Sequence, residues 1–267
     1  MKVNIKIMQK EEIKFKDSTV FEGMTSIRAI IKGIDSGLND RRIVKILFDK
    51  DKIKKISKEI GYLRAVSEKY GFSLESVTGM ELEELTLGTS HGGIIAITDE
   101  RTLPHLSDNS SIAENGFYVM IEGIEDPYNF GYSLRSLYAM GASGIILTER
   151  NWMSAAGVVA RSSAGASELF TIYRSSPMDC VEFFKRKGYT VVCAHECTDN
   201  ILGQCDLKLP ILLIVGGEKR GISSSIVDNA DKLVKIDYAR EFRASLSAAS
   251  ATTMFCYEIM RQNHIKT

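Results

Sequence analysis

Residues 125–136, Glu-Asp-Pro-Tyr-Asn-Phe-Gly-Tyr-Ser-Leu-Arg-Ser, set a turn-forming Asp126-Pro127 ahead of Asn129, Gly131 and an arginine inside an apolar, helix-like run. Asn129 is expected to cap a helix beginning at Phe130, because its side-chain oxygen can accept a free amide of the first turn. Gly131 and Arg135 lie four apart and share a face. Helical side chains lean toward the N-terminus, so the guanidinium of Arg135 would reach over the glycine to the positive end of its own helix. Two positive features at one spot suit an anion such as a phosphate. An ion pair between Arg135 and a carboxylate such as Glu125 accounts for the same residues equally well.

Two further stretches could hold a ligand. In LLIVGGEKRGIS, residues 212–223, an apolar strand ending at Val215 runs into Gly216-Gly217, a lone Glu218 and Gly221. Glycines let backbone approach closely, and α/β proteins place ligands at such strand ends. The spacing is neither a dinucleotide fingerprint nor a Walker loop, and a sharp strand-to-helix turn is the plainer reading. In KIDYAREFRASLSAASATTMFCYEIMRQ, residues 235–262, a strand end and a polar loop precede a helix whose first turns are nearly all Ser and Ala. Small residues there admit a ligand or another backbone, while Met254, Phe255, Tyr257 and Ile259 suit a core or a subunit interface. No Ser-His-Asp set, paired carboxylate or His-Glu-x-x-His motif occurs, and His91 in a glycine turn reads as structural. Cys193-Ala-His195-Glu-Cys197, with Cys205 nearby, has no paired-ligand spacing, so no metal is expected and Val191–Ala194 reads as a buried strand.

The elements that must carry these motifs follow from periodicity. A helix over 24–34, a strand at 45–48, an amphipathic helix over 51–71, an acidic helical stretch and a strand at 92–98 make a first α/β domain, residues 1–105. The polar stretch 99–111 is expected to be a linker. Over 112–267, strands FYVMIEGI, GIILT, LFTIY, TVVCA, LPILLIVGG and KLVKID alternate with helices, the last near 245–262. That alternation implies a parallel sheet covered on both faces. Composition, with 44% apolar and 25% charged residues in 267, is that of an ordinary globular protein, and five cysteines without an export signal fit reduced thiols. A charged N-terminus and no long apolar run lead us to expect a cytoplasmic protein with no membrane partner. Net charge is zero, yet residues 1–70 hold 17 Lys/Arg against 10 Asp/Glu, whereas 71–110 hold one against seven. The first segment could track a phosphate backbone, or could simply be a solvated charged surface.

Taken in order, EDPYNFGYSLRSLYAMGASGIIL, LLIVGGEKRGIS and KID…SLSAASATTMFCYEIMRQ resemble the three motifs of the SpoU (TrmH-like) family of RNA ribose 2′-O-methyltransferases, within the SPOUT superfamily. RSSAGASELF, residues 161–170, resembles a stretch usual between the first two. The likeness covers roughly 112–263. FEGMTSIRAI and TSHGGIIAI more weakly resemble the ribosomal-protein-like RNA-binding domain that many members carry. The resemblance implies a C-terminal parallel sheet with a deep trefoil knot, S-adenosylmethionine as cofactor, a homodimer, and RNA, ribosomal rather than transfer RNA, as substrate. It implies that Val215, Gly216, Gly217, Gly221, Ile236 and Leu246 form the cofactor site with Glu218 shaping its loop. It further implies that Asn129 and Arg135 face ribose and phosphate, with Ser245 at the junction. Arg135 is regarded in the family as the base. From the first domain, Arg28, Lys32, Arg41 and Arg42 are the candidate RNA contacts. Two departures stand out: Ser247 where the family has Asn, and Ile236-Asp237-Tyr238 for the usual Ile-Pro-Met, with the following loop one residue longer. They keep open the alternative of a catalytically altered RNA-binding protein that retains the fold.

Overall fold

The computed structural model describes residues 19–86, 91–124, 126–148, 155–217, 219–242 and 244–265. Its contacts form two compact units: Met1–Thr102 with Trp152–Leu169, and Leu103–Asn151 with Phe170–Thr267. Glu125 and Glu218, singled out in the sequence, lie outside the described residues.

In the first unit, strands β1 (Val20–Glu22), β2 (Ile43–Asp49), β3 (Ser73–Val77) and β4 (Ile94–Thr98) pair in the order β1-β4-β2-β3. Only β2 and β3 are parallel; β4 runs antiparallel to both its neighbours. Helix α1 (Gly23–Asp35) buries Ile27, Ile30 and Ile31 at helical spacing against Phe21, Ile46 and Ile94, which leaves Arg28 and Lys32 exposed on the opposite face. Helix α2 spans Ser57–Tyr70 and α3 spans Gly79–Leu85. The second helix starts six residues later than periodicity suggests. The Asp49 carboxylate accepts the Asp51 amide at 2.9 Å and winds Lys50–Lys52 into a 3₁₀ turn, and the amides of Lys55 and Ile56 return to the Lys52 carbonyl. The helix ends at Gly71, whose φ of 70° needs no Cβ to be relieved.

Segment 152–169, although flanked in sequence by strands of the second unit, packs with the first. Its helix α5 (Ala156–Ser162) adds Ala156 and Ala160 to the first core, and Gly157 lies so near β1 that a Cβ would sit 2.1 Å from the Val20 carbonyl oxygen. Beyond it Glu168, fully buried, accepts from the Arg41 Nε at 2.9 Å and from Asn39. The Arg41 guanidinium also donates to the Asp99 carbonyl at 3.1 Å and lies over the Phe21 ring. Arg41 is therefore no RNA contact: only 1% of its side chain is exposed, because a buried carboxylate and a carbonyl neutralise it there. Arg42 is exposed and paired with Asp99 at 2.9 Å. The expected linker is likewise tied down at its start, where Asp99 bonds to the Arg42 carbonyl and buried Arg101 donates to the Ser167 carbonyl at 3.0 Å.

The second unit is a six-stranded, wholly parallel sheet in the order β10-β8-β9-β5-β6-β7, with β5 Phe117–Glu122, β6 Gly144–Leu147, β7 Ile172–Arg174, β8 Thr190–Ala194, β9 Ile211–Gly216 and β10 Lys232–Val234. Helices α4 (Pro127–Ala139), α6 (Pro177–Arg186), α7 (Ser224–Val227) and α8 (Ala248–Asn263) connect and follow them. Runs such as Phe117–Ile121 and Ile211–Val215 are buried without alternation, as strands covered on both faces must be. Cys193 is one of these strand residues; burial pushes its thiol up to about 12, so it stays a protonated, apolar side chain. No described helix is long and apolar enough to cross a membrane.

Because Arg41 is buried, removing its counter-charge should be costly. Glu168→Ala should lower the stability of the first unit by about 3 kcal/mol or more in urea unfolding, whereas the Arg41→Met/Glu168→Met pair, which leaves no buried charge, should lose much less.

Candidate functional site

In an all-parallel sheet the strand ends that receive ligands lie along one edge. There β5 and β9 are direct neighbours, with Glu122 opposite Gly216. Glu122 holds the loop after β9 at two points: its carbonyl accepts the Gly217 amide at 2.6 Å, and its carboxylate accepts the Ser223 amide at 3.0 Å. Between them Gly217 and Gly221 form an antiparallel bridge, the Gly221 amide reaching the Gly217 carbonyl at 3.1 Å. The loop is thus folded on itself and clamped to β5. A Cβ on Gly217 would lie 2.1 Å from the Gly123 carbonyl oxygen, and one on Gly216 would lie 2.5 Å from the Gly221 backbone. Val215, just before them, is buried in the sheet. The glycine pair is there for backbone proximity, and Glu122 is a site residue that sequence reading missed. Its only signal was its place as the last residue of a strand directly before a glycine.

Helix α4 leaves β5 at the same edge. Its cap is Asp126, whose carboxylate accepts the Tyr128 amide at 3.0 Å, with Pro127 at the first helical position. Asn129 therefore stands within the first turn and is not the cap, since proline's fixed φ starts the helix three residues earlier, at Pro127 rather than Phe130. Gly131, Leu134 and Leu137 are buried, while Arg135 is exposed and, among the described residues, makes no hydrogen bond or ion pair. Glu125, the carboxylate that could pair with it, lies outside the described residues.

The third segment closes the arrangement. Ile236 and Leu246 are half-buried, Ser245 is exposed, and the Leu246 amide donates to the Tyr238 hydroxyl at 3.2 Å. Ser247 caps α8, its hydroxyl accepting the Ser250 amide at 3.2 Å. Helices α4 and α8 then run side by side in one direction: Thr253 donates to Ser136 at 2.7 Å, and further along Ile265 sits where a Cβ on Gly141 would be 2.5 Å away. Both helix N-termini consequently lie toward the clamped loop; that of α8 is preceded by Ser245, whereas Arg135 stands farther along α4, in its C-terminal half. Backbone amides and carbonyls with few side-chain acids suit a polar organic ligand; among the described residues no three His, Cys, Asp or Glu side chains gather as a metal site. His195, in the cysteine-containing stretch, accepts the Cys197 amide on its ring nitrogen at 3.2 Å. Arg28, Lys32 and Arg42 belong to the first unit. A separate cavity of about 350 Å³, lined by residues including His105, Arg174, Asp179 and Arg186, contains none of the sequence-predicted residues.

Comparison with known proteins adds three findings. The profile of the SpoU rRNA Methylase family matches residues 116–257. YacO of Bacillus subtilis, assigned to the TrmH family of tRNA/rRNA methyltransferases, is 25% identical over 236 residues, which are 86% of this chain and 93% of that one. The 23S rRNA (guanosine-2′-O-)-methyltransferase RlmB of Shewanella oneidensis is 28% identical over 200 residues, covering 72% of this chain and 80% of RlmB. Other curated relatives are longer, and the chain spans 51% to 63% of their length. Among solved structures, the SpoU methyltransferase AviRb of Streptomyces viridochromogenes in complex with AdoMet superposes with a TM-score of 0.75 over 91% of this chain and 89% of that one, at 24% identity. At that identity the likeness concerns the fold.

The cap at Ser247 gives a direct check of the geometry. Ser247→Ala should destabilise the second unit by about 1 kcal/mol, and Ser247→Asn should leave stability near the wild-type value, because asparagine caps as well as serine; thermal unfolding of the full chain measures both.

Proposed function

The chain belongs to the SpoU rRNA Methylase family, and from that premise we propose that it transfers a methyl group from S-adenosylmethionine to a ribose 2′-hydroxyl of ribosomal RNA. The observation that carries this reading is the clamped glycine loop beside two parallel helices, one of which exposes Arg135 in its C-terminal half with no partner among the described residues.

The residues present fit the cofactor. Gly216 and Gly217 lack side chains because the backbones of Gly221 and Gly123 fill that space and fold the loop tightly, whereas nothing lies within 4 Å of where a Cβ on Gly221 would be, so a ligand can approach the loop there, with Ile236 and Leu246 read as the other wall. Leu246 has its amide engaged by Tyr238, so it contributes its carbonyl and side chain. When bound, the cofactor supplies an electrophilic sulfonium methyl. The chain's own part is positioning: the ribose hydroxyl must lie in line with that methyl, and holding it there accounts for most of the acceleration. Arg135 holds the neighbouring phosphate and offsets negative charge developing on the hydroxyl oxygen, aided by Asn129 and Ser245. A guanidinium presents N–H donors and no acceptor, which suits this exposed side chain to hold an anion rather than to take up a proton. Arg135 is a positioning group in this mechanism.

The finer features of the family are part of the same proposal. Strand β10 lies at one edge of the sheet, yet α8, which follows it, packs against the helix that follows β5, three strands away. The chain from 235 to 247 must cross the ends of β8 and β9, where the 217–223 loop lies; that crossing supports a trefoil knot. Tyr128 and Tyr132 on α4, with Met254 and Tyr257 on α8, are exposed apolar groups on adjacent helices and support a homodimer formed there. The first unit, with Arg28, Lys32 and Arg42 exposed, is read as the ribosomal-protein-like RNA-binding domain of a cytoplasmic enzyme. Ser247 and Asp237 favour a second reading, an RNA-binding protein without catalysis. Against it, Ser247 keeps the capping role that asparagine would fill.

Arg135→Ala should cut methyl incorporation from labelled cofactor into protein-free ribosomal RNA by about 100-fold or more, with cofactor affinity by calorimetry unchanged. Wild-type protein that binds cofactor but methylates no RNA would favour the second reading. Tyr257→Arg should shift the protein to monomer in sedimentation experiments.

A further inference from the structure

We infer that the loop between Ile236 and Leu246 grips the target nucleotide, with the ring of Phe242 as a stacking platform for an unstacked RNA base beside the reacting ribose. The inference rests on the RNA-methyltransferase reading and extends it to how substrate is held.

Phe242 is 58% exposed, an unusual position for a phenylalanine in a globular chain, and Tyr238 beside it is 39% exposed. Their ring centroids are 6.2 Å apart with planes at 64°, an edge-to-face pair that fixes the phenylalanine ring without covering it. Tyr238 is itself anchored: its hydroxyl takes the Leu246 amide at 3.2 Å, eight residues on, so the loop is closed on its own base. Tyr238 thus braces, and Phe242 is the ring left open. Arg240, also exposed, adds a cation on the same short loop.

Position decides what this ring could serve. Phe242 stands three residues before Ser245, and α8, which follows, runs alongside the helix of Arg135, tied by Thr253 to Ser136. A nucleotide whose phosphate meets Arg135 has its base to place close by. RNA is recognised largely through bases splayed out of the stack onto aromatic side chains, with cations on the backbone, and a braced ring beside an arginine offers both. Stacking tolerates any base, so Phe242 would hold the nucleotide without identifying it.

The test compares wild type, Phe242→Ala and Phe242→Trp in the full chain, with protein-free ribosomal RNA as probe. Phe242→Ala should weaken RNA binding and raise KM for RNA about tenfold, with cofactor affinity and kcat little changed, and Phe242→Trp should restore both RNA terms. Wild-type RNA affinity and KM in Phe242→Ala would overturn the inference. So would an equal loss of cofactor affinity and RNA binding, which marks a purely structural residue. If wild type binds cofactor and RNA but transfers no methyl, the catalytic reading fails, and the filter-binding comparison of wild type with Phe242→Ala still decides the role of the ring.

Discussion

Everything at the candidate site depends on the approach of two backbones, that of Gly123 at the end of β5 and that of Gly217 at the end of β9. The carbonyl of Glu122 takes one amide of the incoming loop and its side chain takes another six residues later, so one residue fixes where the loop begins and where it turns away. Any side chain at 217 would place its Cβ 2.1 Å from a carbonyl oxygen. The register behind this contact pairs the two strands continuously from Phe117 opposite Ile211 to Glu122 opposite Gly216. Loop shape, helix entry and the placement of Arg135 all follow from that register.

The buried charge in the first unit expresses a different constraint. Arg41 is enclosed by Glu168, the Asp99 carbonyl and the Phe21 ring, and a guanidinium survives there only because its hydrogen bonds and counter-charge are nearly complete. Its partner comes from residue 168, far along the chain. The first unit therefore completes its core with α5 and the following 3₁₀ turn, held by Gly157 against β1 and by Arg161 paired with Glu22 at 2.6 Å. A boundary drawn in sequence order cannot express this.

Local rules served the sequence reading well where a single element sufficed. The six strands of the parallel sheet are apolar runs of the right length, and Gly71 ends its helix as a left-handed cap. They failed where two side chains compete for one role. Asp126 and Asn129 are both capping residues, and only the proline after the first settles which is used. Asp49 likewise took the first turn of an expected helix for itself. Glu122, β1 and β3 gave no signal because a terminal strand residue and short, partly exposed strands look like loop until their partners are known.

By itself the sequence determined the type of fold, the order of the three motifs and their membership of one family, because those rest on local periodicity and on residues a short distance apart. Only the tertiary structure decided which charges are available. Arg135 and Arg41 are both arginines near apolar runs, yet one opens to solvent with no partner among the described residues and the other is sealed against a carboxylate 127 residues away. The free energy of a charge depends on what surrounds it in space, and that surrounding is assembled from segments no reading along the chain brings together.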